Sequence, residues 1–208
     1  ENFGRLEYSF SELVKNCGID MTECSLIEEN GRAHFLTKRF DRENGRKIHM
    51  QTLCGMAHYD FRLKNGHSYE QAFNVMRRLR LPYSQAQEMF RRIVFNVVVR
   101  NQDDHTKNIS FLMDSSGQWS LSPAYDMGFA YNPLGAWTAT HQMSINGKFD
   151  NITRADLLSL ANANNIKNAS EIIDQVCETT AGWPELAKNC GVPQKMIDGI
   201  VPHMLLSI

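Results

Sequence analysis

Apolar residues recur at steps of three and four through Leu6, Phe10, Leu13, Val14 and Cys17, and Gly18 follows directly. That spacing predicts a helix over 6–17 that packs on one face and ends in a left-handed glycine. The pattern then changes to β-prone runs at 23–27 and 33–40, joined through Glu28-Glu29-Asn30-Gly31. Asn-Gly between such runs predicts a β-hairpin, and Asn44-Gly45 predicts a further turn into 48–51.

Helical spacing returns after a polar stretch. Ser68, and Ser84 behind Pro82, stand where N-caps belong, and the second helix is long and buried, carrying Ala86, Phe90, Ile93, Val94 and Val97 on one side. Runs at 109–113 and 118–121 around Asp114-Ser115-Ser116-Gly117 predict a second, short hairpin. Beyond it the chain reads as helices over 154–164, 170–181 and 193–206, opened by Thr153, Ser170 and Pro193. The order predicts an α+β protein with little sheet in its second half, and it contains no internal repeat or low-complexity tract.

Composition narrows the classes of function. With 208 residues the chain can bury a core without disulfides, and a net charge of −1 gives no field that would draw it to nucleic acid or an anionic membrane. The five cysteines (17, 24, 54, 177 and 190) are scattered and never form C-x-x-C, which argues against a disulfide framework or zinc site and for a reducing cytoplasm. The apolar run 93–99 is too short to span a bilayer, so no membrane partner is expected. Glu1 is not a start methionine, and the chain reads as processed, tagged or cut from something longer.

The densest polar cluster is Arg100-Asn101-Gln102-Asp103-Asp104-His105-Thr106-Lys107-Asn108, wedged between the buried helix and the strand at 109–113. Phosphoryl transfer needs a carboxylate to orient the attacking hydroxyl and accept its proton, with a neutral oxygen ligand for magnesium close by. Kinases place these as Asp and Asn in D-x-x-x-x-N, and Asp103 and Asn108 have that spacing. A second metal ligand belongs on the loop after a short hairpin, where Asp126 stands in Leu121-Ser122-Pro123-Ala124-Tyr125-Asp126-Met127-Gly128.

These segments resemble the D-x-H-x-K-N and L-[ST]-P-x-Y-D signatures of HipA-type serine/threonine kinases, the toxins of HipBA and HipBST toxin-antitoxin modules. Lys38-Arg39-Phe40-Asp41-Arg42 resembles that family's E-R-F-D-R hinge, with Lys38 where the family has Glu. The resemblance implies a protein-kinase-like α+β fold. Residues 1–52 would be part of a β-containing N-lobe (helix, hairpin and hinge), and 53–208 a mainly helical C-lobe with the catalytic and metal-binding loops. It implies Asp103 as catalytic base and Asn108 and Asp126 as magnesium ligands. His105 and Lys107 would lie near the ATP phosphates, Phe40 and Asp41 against the nucleoside, and Glu7 on a helix similar to kinase αC. The family's phosphate-binding loop and strand Lys precede that helix and are expected to be missing here. The implied partners are a helix-turn-helix antitoxin, DNA only through that antitoxin, and a protein substrate such as an aminoacyl-tRNA synthetase.

Blander readings accompany several of these residues. Taken singly, Asp103 fits a solvated loop, and three motifs in order are what favour chemistry. His105 and Lys107 serve equally well as loop buttresses, Asp104 as a cap or loop-orienting carboxylate, and Glu7 as a surface charge. The segment 186–195 has the outline of a helix-turn-helix but few groups for phosphates, and reads as core packing. Arg77, Arg78, Arg80, Arg91, Arg92 and Arg100 read as a solvated face balanced by Glu70 and Glu88. The rival to an enzyme is a truncated, non-catalytic relative that docks an antitoxin or another subunit.

Overall fold

Helix α1 spans Phe3–Asn16 in the computed structural model, which describes residues 2–208. It buries Phe10, Leu13 and Val14 and gives way to Gly18 at φ +74°. Asn30 and Gly31, at φ +50° and +74°, turn β1 (Cys24–Glu29) back on β2 (Arg32–Thr37) as an antiparallel pair. Two consecutive positive φ values match the twist of the strands they join, which is why Asn-Gly serves here. α1 lies against this hairpin so closely that a Cβ on Gly4 would stand 2.3 Å from the carbonyl oxygen of Ala33. Only glycine permits that approach.

The Asn44-Gly45 turn closes a miniature hairpin of β3 (Arg42–Glu43) and β4 (Arg46–Lys47), followed by β5 (His49–Thr52). Next come α2 (Leu53–Ala57), β6 (His67–Ser68), α3 (Tyr69–Arg78) and α4 (Tyr83–Val98). The second predicted hairpin forms from β7 (Ser110–Met113) and β8 (Trp119–Leu121). β5 adds to it, giving a three-stranded antiparallel sheet in the order β5-β7-β8. β9 (Met143–Ser144) pairs in parallel with β6. The chain ends in α5 (Arg154–Ala163), α6 (Ala169–Ala181), α7 (Trp183–Asn189), α8 (Gln194–Ile200) and one 3-10 turn at Val201–His203. The result is α+β, with its sheets small and its second half helical.

Several boundaries depart from the sequence reading. Ser68 does cap α3, in a capping box with Gln71, but α4 begins at Tyr83 behind an extended Pro82, which leaves Ser84 inside the first turn. Ser170 is likewise inside α6, whose cap position is Asn168; the Asn168 side chain accepts a hydrogen bond from Gln87 Nε2 instead. The helix expected over 193–206 ends at Ile200, where Pro202 cannot continue the ladder. The outlined helix-turn-helix is α7 and α8, which bury Trp183, Ala187, Ile197 and Ile200 in the common core. Of the arginines, Arg92 is buried and bonds Glu88 at 2.8 Å, whereas Glu70 accepts from the Asn146 amide.

One hydrophobic core holds these elements. Phe90, Ile93, Val94, Phe95, Val97 and Val98 of α4 are completely buried, each contributing about 1.5–3 kcal/mol by leaving water. Trp183 stacks on Phe10 at 4.8 Å and locks α7 to α1. The cysteines are free thiols, and no described helix is long and apolar enough to cross a membrane.

Candidate active site

The buried end of α4 delivers the polar segment from a rigid base. Val99 closes the helix, Arg100 turns left-handed at φ +54°, and the Asn101 amide returns to the Asn96 carbonyl at 2.8 Å. The following loop is knotted by its own backbone: the amide of His105 bonds the Asp103 carbonyl, and that of Asn108 bonds the His105 carbonyl, both at 2.9 Å. Asn108 adds its side chain, whose Nδ2 donates to the same Asp103 carbonyl at 2.9 Å. Among the described bonds none takes up its Oδ1, which is left to accept or to ligate.

The second loop leaves β8 through Ser122-Pro123-Ala124. The Ala124 amide donates to the Asp20 carbonyl at 2.7 Å, and the Tyr125 hydroxyl donates to the Lys107 carbonyl at 2.6 Å, so the two loops are stitched together. Ser110 Oγ bonds the same hydroxyl. Asp126 then sits at φ +53°, a left-handed conformation that costs a non-glycine residue on the order of 1 kcal/mol and persists only when its surroundings hold it. Asn101 Nδ2 donates to its carbonyl at 3.1 Å.

A cleft of about 300 Å³ lies between these loops, α1 and β2. Asp103, Asn108 and Asp126 line it, with Glu7 and Asn101; Phe3, Leu6, Phe10, Phe35 and Phe129 form its apolar wall. Partial burial raises the carboxyl of Asp103 above its usual range; His105 opposes that, and the charges of Asp126 and Asp104 reinforce it. Burial and then the charge of Asp126 raise Glu7 in the same direction. Among the described residues no Lys or Arg pairs with Glu7, Asp103 or Asp126. Carboxylates gathered in one cleft without a Lys or Arg counter-charge make a setting suited to a bound cation.

The donors fit magnesium. One carboxylate and one amide oxygen are an ordinary protein contribution to an ion that keeps several waters and takes the rest from phosphates. Clusters of three or more His, Cys, Asp or Glu of the kind that cage other metals are absent among the described residues.

The remaining sequence-predicted residues lie outside the cleft lining. Phe40 packs on Tyr125 at 5.6 Å, one residue from Asp126. Asp41 is gripped by Arg39 through bonds of 2.8 and 2.7 Å and by Arg42, and its carboxyl is brought down to about 2, first by the Arg39 bond. His105 meets the edge of Phe61 at 5.5 Å, with Nε2 4.0 Å from Asp103 Oδ1, while the Lys107 ammonium lies 4.0 Å above the same Phe61 ring. Asp104 is a loop-orienting carboxylate: it is buried and receives Tyr69, His141 and the Gln142 amide. Tyr69, Asn96, Asn101 and His141 were not marked by sequence reasoning. Asn96, a lone polar residue inside the apolar run 93–99, and Asn101, within the polar cluster 100–108, carry a local signal; Tyr69 and His141 carry none.

Comparison with known proteins adds to this geometry. The chain is 29% identical to the "Putative kinase" of Haemophilus influenzae over 136 residues, covering 58% of the chain and 39% of that protein. It is 27% identical to the "Putative kinase Y4dM" of Sinorhizobium fredii, covering 95% of the chain and 52% of that protein. The chain thus spans about half the length, or less, of the curated relatives it matches. Its fold superposes on HipA of Shewanella oneidensis, solved with HipB and operator DNA, with a TM-score of 0.74 at 19% identity, covering 95% of this chain and 52% of that one. The proinflammatory kinase CtkA of Helicobacter pylori matches with a TM-score of 0.58 at 14% identity, covering 98% and 84%. The two structures share a fold with the chain, and the HipA-like C-terminal domain model matches residues 1–183, so the chain belongs to that family.

Proposed function

We propose that the chain is the catalytic half of a serine/threonine protein kinase that passes the γ-phosphoryl group of ATP to a protein hydroxyl. One observation carries the reading: Asp103, Asn108 and Asp126, from two loops stitched together, line a single cleft. Asp103 accepts the proton of the attacking hydroxyl, and a carboxyl raised from its usual range is a stronger base at neutral pH than an ordinary Asp. The Asn108 oxygen and the Asp126 carboxylate hold magnesium, which when bound neutralises charge on the phosphates. Phe40 and Asp41 contact the nucleoside from the Tyr125 side, and His105 and Lys107, beside the Asp103 loop on Phe61, are the groups assigned toward the phosphates.

By likeness to the HipA solved with HipB and operator DNA, we assign the partner as a helix-turn-helix antitoxin, with DNA reached through it. The substrate we assign is an aminoacyl-tRNA synthetase in the cytoplasm, whose phosphorylation would inhibit translation. The test is radiolabelled ATP with a synthetase panel and the full-length protein. Labelling of one synthetase on Ser or Thr is expected. Nucleotide binding without transfer to any protein would instead select a non-catalytic docking relative.

A further inference from the structure

A chain of buried hydrogen bonds runs behind the cleft and ends on both of its loops. At one end the Asp104 carboxylate, its side chain 1% exposed, takes three bonds. Oδ2 accepts from the Tyr69 hydroxyl at 2.7 Å and from His141 Nδ1 at 2.8 Å, and Oδ1 accepts from the Gln142 amide at 2.7 Å. Tyr69 in turn accepts from Asn96 Nδ2 at 3.1 Å, and Asn96 Oδ1 accepts from Asn101 Nδ2 at 3.0 Å. The Asn101 amide group reaches on to the Asp126 carbonyl at 3.1 Å. Asp104 is the neighbour of Asp103, and Asp126 is the left-handed residue opposite it.

Burying a carboxylate is costly even when it is fully bonded, and apolar residues of equal volume commonly give as much stability or more. What such a network supplies is fixed geometry. Each link joins a different part of the chain: α3, α4, the Asp103 loop, the Asp126 loop and the segment at 141–142. We infer that Asp104, Tyr69, Asn96 and Asn101 form a positioning bracket that holds Asp103 and Asp126 at a set separation, with His141 clamping its far end. The catalytic consequence rests on the kinase reading above; the mechanical one does not.

The experiment is peptide-resolved hydrogen exchange together with steady-state kinetics on the full-length protein, comparing the parent with Asn101→Ala, Tyr69→Phe and Asp103→Asn. Tyr69→Phe removes one oxygen and keeps the buried ring, so it carries the test should Asn101→Ala fail to fold. Both bracket variants are expected to speed exchange in peptides covering 101–108 and 126–130, where the Ala130 amide bonds the Arg100 carbonyl at 3.1 Å. Peptides of α6 and α8 should not change. kcat should fall about 10–100-fold, the scale of a small misplacement, while KM for ATP stays close to the parent's. Unchanged exchange at 126–130 in the variants that fold would overturn the bracket, as would exchange raised equally everywhere. Retained kcat in those variants, where Asp103→Asn loses about 10²–10⁴-fold, would also overturn it. Transfer near the parent's rate in Asp103→Asn would take Asp103 out of the chemistry, and no transfer by the parent itself would remove the kinase reading alone; either leaves the exchange result to decide the bracket.

Discussion

The side chain of Asn108 donates to the backbone carbonyl of Asp103 at 2.9 Å, so the amide that offers an oxygen to the cleft also fixes the peptide carrying the acid. The D-x-x-x-x-N spacing therefore has a mechanical sense here. Six residues of loop close on themselves, and base and metal ligand are set by one bond rather than by two independent loops. Removing the Asn108 amide would loosen Asp103 as well as delete a ligand.

Asp103→Asn should keep this latch, because the bond uses the backbone carbonyl, and should delete only the basic oxygen. Phosphoryl transfer by the full-length protein is expected to fall about 10²–10⁴-fold, the usual range for a lost general base, with the thermal midpoint nearly unchanged. Initial rates beside a melting curve check this. A folded variant with rates near the parent's would take Asp103 out of the chemistry.

Asp126→Ala separates metal-dependent from metal-independent binding. The carboxylate lies in the cleft without a described Lys or Arg partner, so its removal should weaken ATP binding in the presence of magnesium and leave adenosine binding largely intact. Calorimetry with both ligands, with and without magnesium, gives the answer. Equal losses for the two ligands would count against a metal role.

Local chemistry is what the sequence made legible. Asn30-Gly31, Ser68 with Gln71, and Thr153 with Asp156 act within a few residues, and each forms the turn or cap its neighbours imply. Asp103 and Asn108 stand out in the sequence through their spacing and Asp126 through its place after a short hairpin, and the fold sets all three on one cleft. The β5–β7 pairing was not, since it joins His49–Thr52 to Ser110–Met113 across α2, α3 and α4, and alternation within a strand does not name its partner. The bracket was hidden for the same reason: Tyr69, Asn101 and His141 acquire their roles only when the fold brings them to Asp104 and Asp126. Phe61 is similar, an ordinary aromatic in sequence that holds both His105 and Lys107 in space.

Asp156 gives a prediction for acid. Its partial burial would raise the carboxyl, but the Lys148 ammonium and the Thr153 hydroxyl and amide outweigh that and bring it down to about 2 from an ordinary 3.8. A depressed folded value means the bonds stabilise the fold above the unfolded value and are lost as pH falls through the folded one. Asp156→Asn should therefore cost about 1 kcal/mol at neutral pH, as for a lost helix cap, and progressively less as pH drops from about 4 toward 2. Urea unfolding of parent and variant across that range checks the sign. A penalty that grows in acid would reverse the assignment.

Trp183→Ala links the core to the cleft. Trp183 is completely buried in α7, stacks on Phe10 at 4.8 Å and donates Nε1 to Ser9 Oγ at 3.3 Å, so α1 is docked through one large side chain. Phe10 in turn lines the cleft, and its ring stands 3.7 Å from where a Cβ on Gly128 would be, two residues past Asp126. Truncation leaves a cavity behind α1 and takes one donor from Ser9, whose hydroxyl still donates to the Leu6 carbonyl at 2.8 Å, and the expected loss is about 3–5 kcal/mol. Because the void opens under Phe10, the cleft wall should relax with it. Nucleotide binding should then weaken even at temperatures where the variant is fully folded. Denaturant unfolding gives the stability loss, and calorimetry well below the transition gives the affinity. A destabilised variant that binds nucleotide as the parent does would show that Phe10 keeps its place without Trp183 behind it.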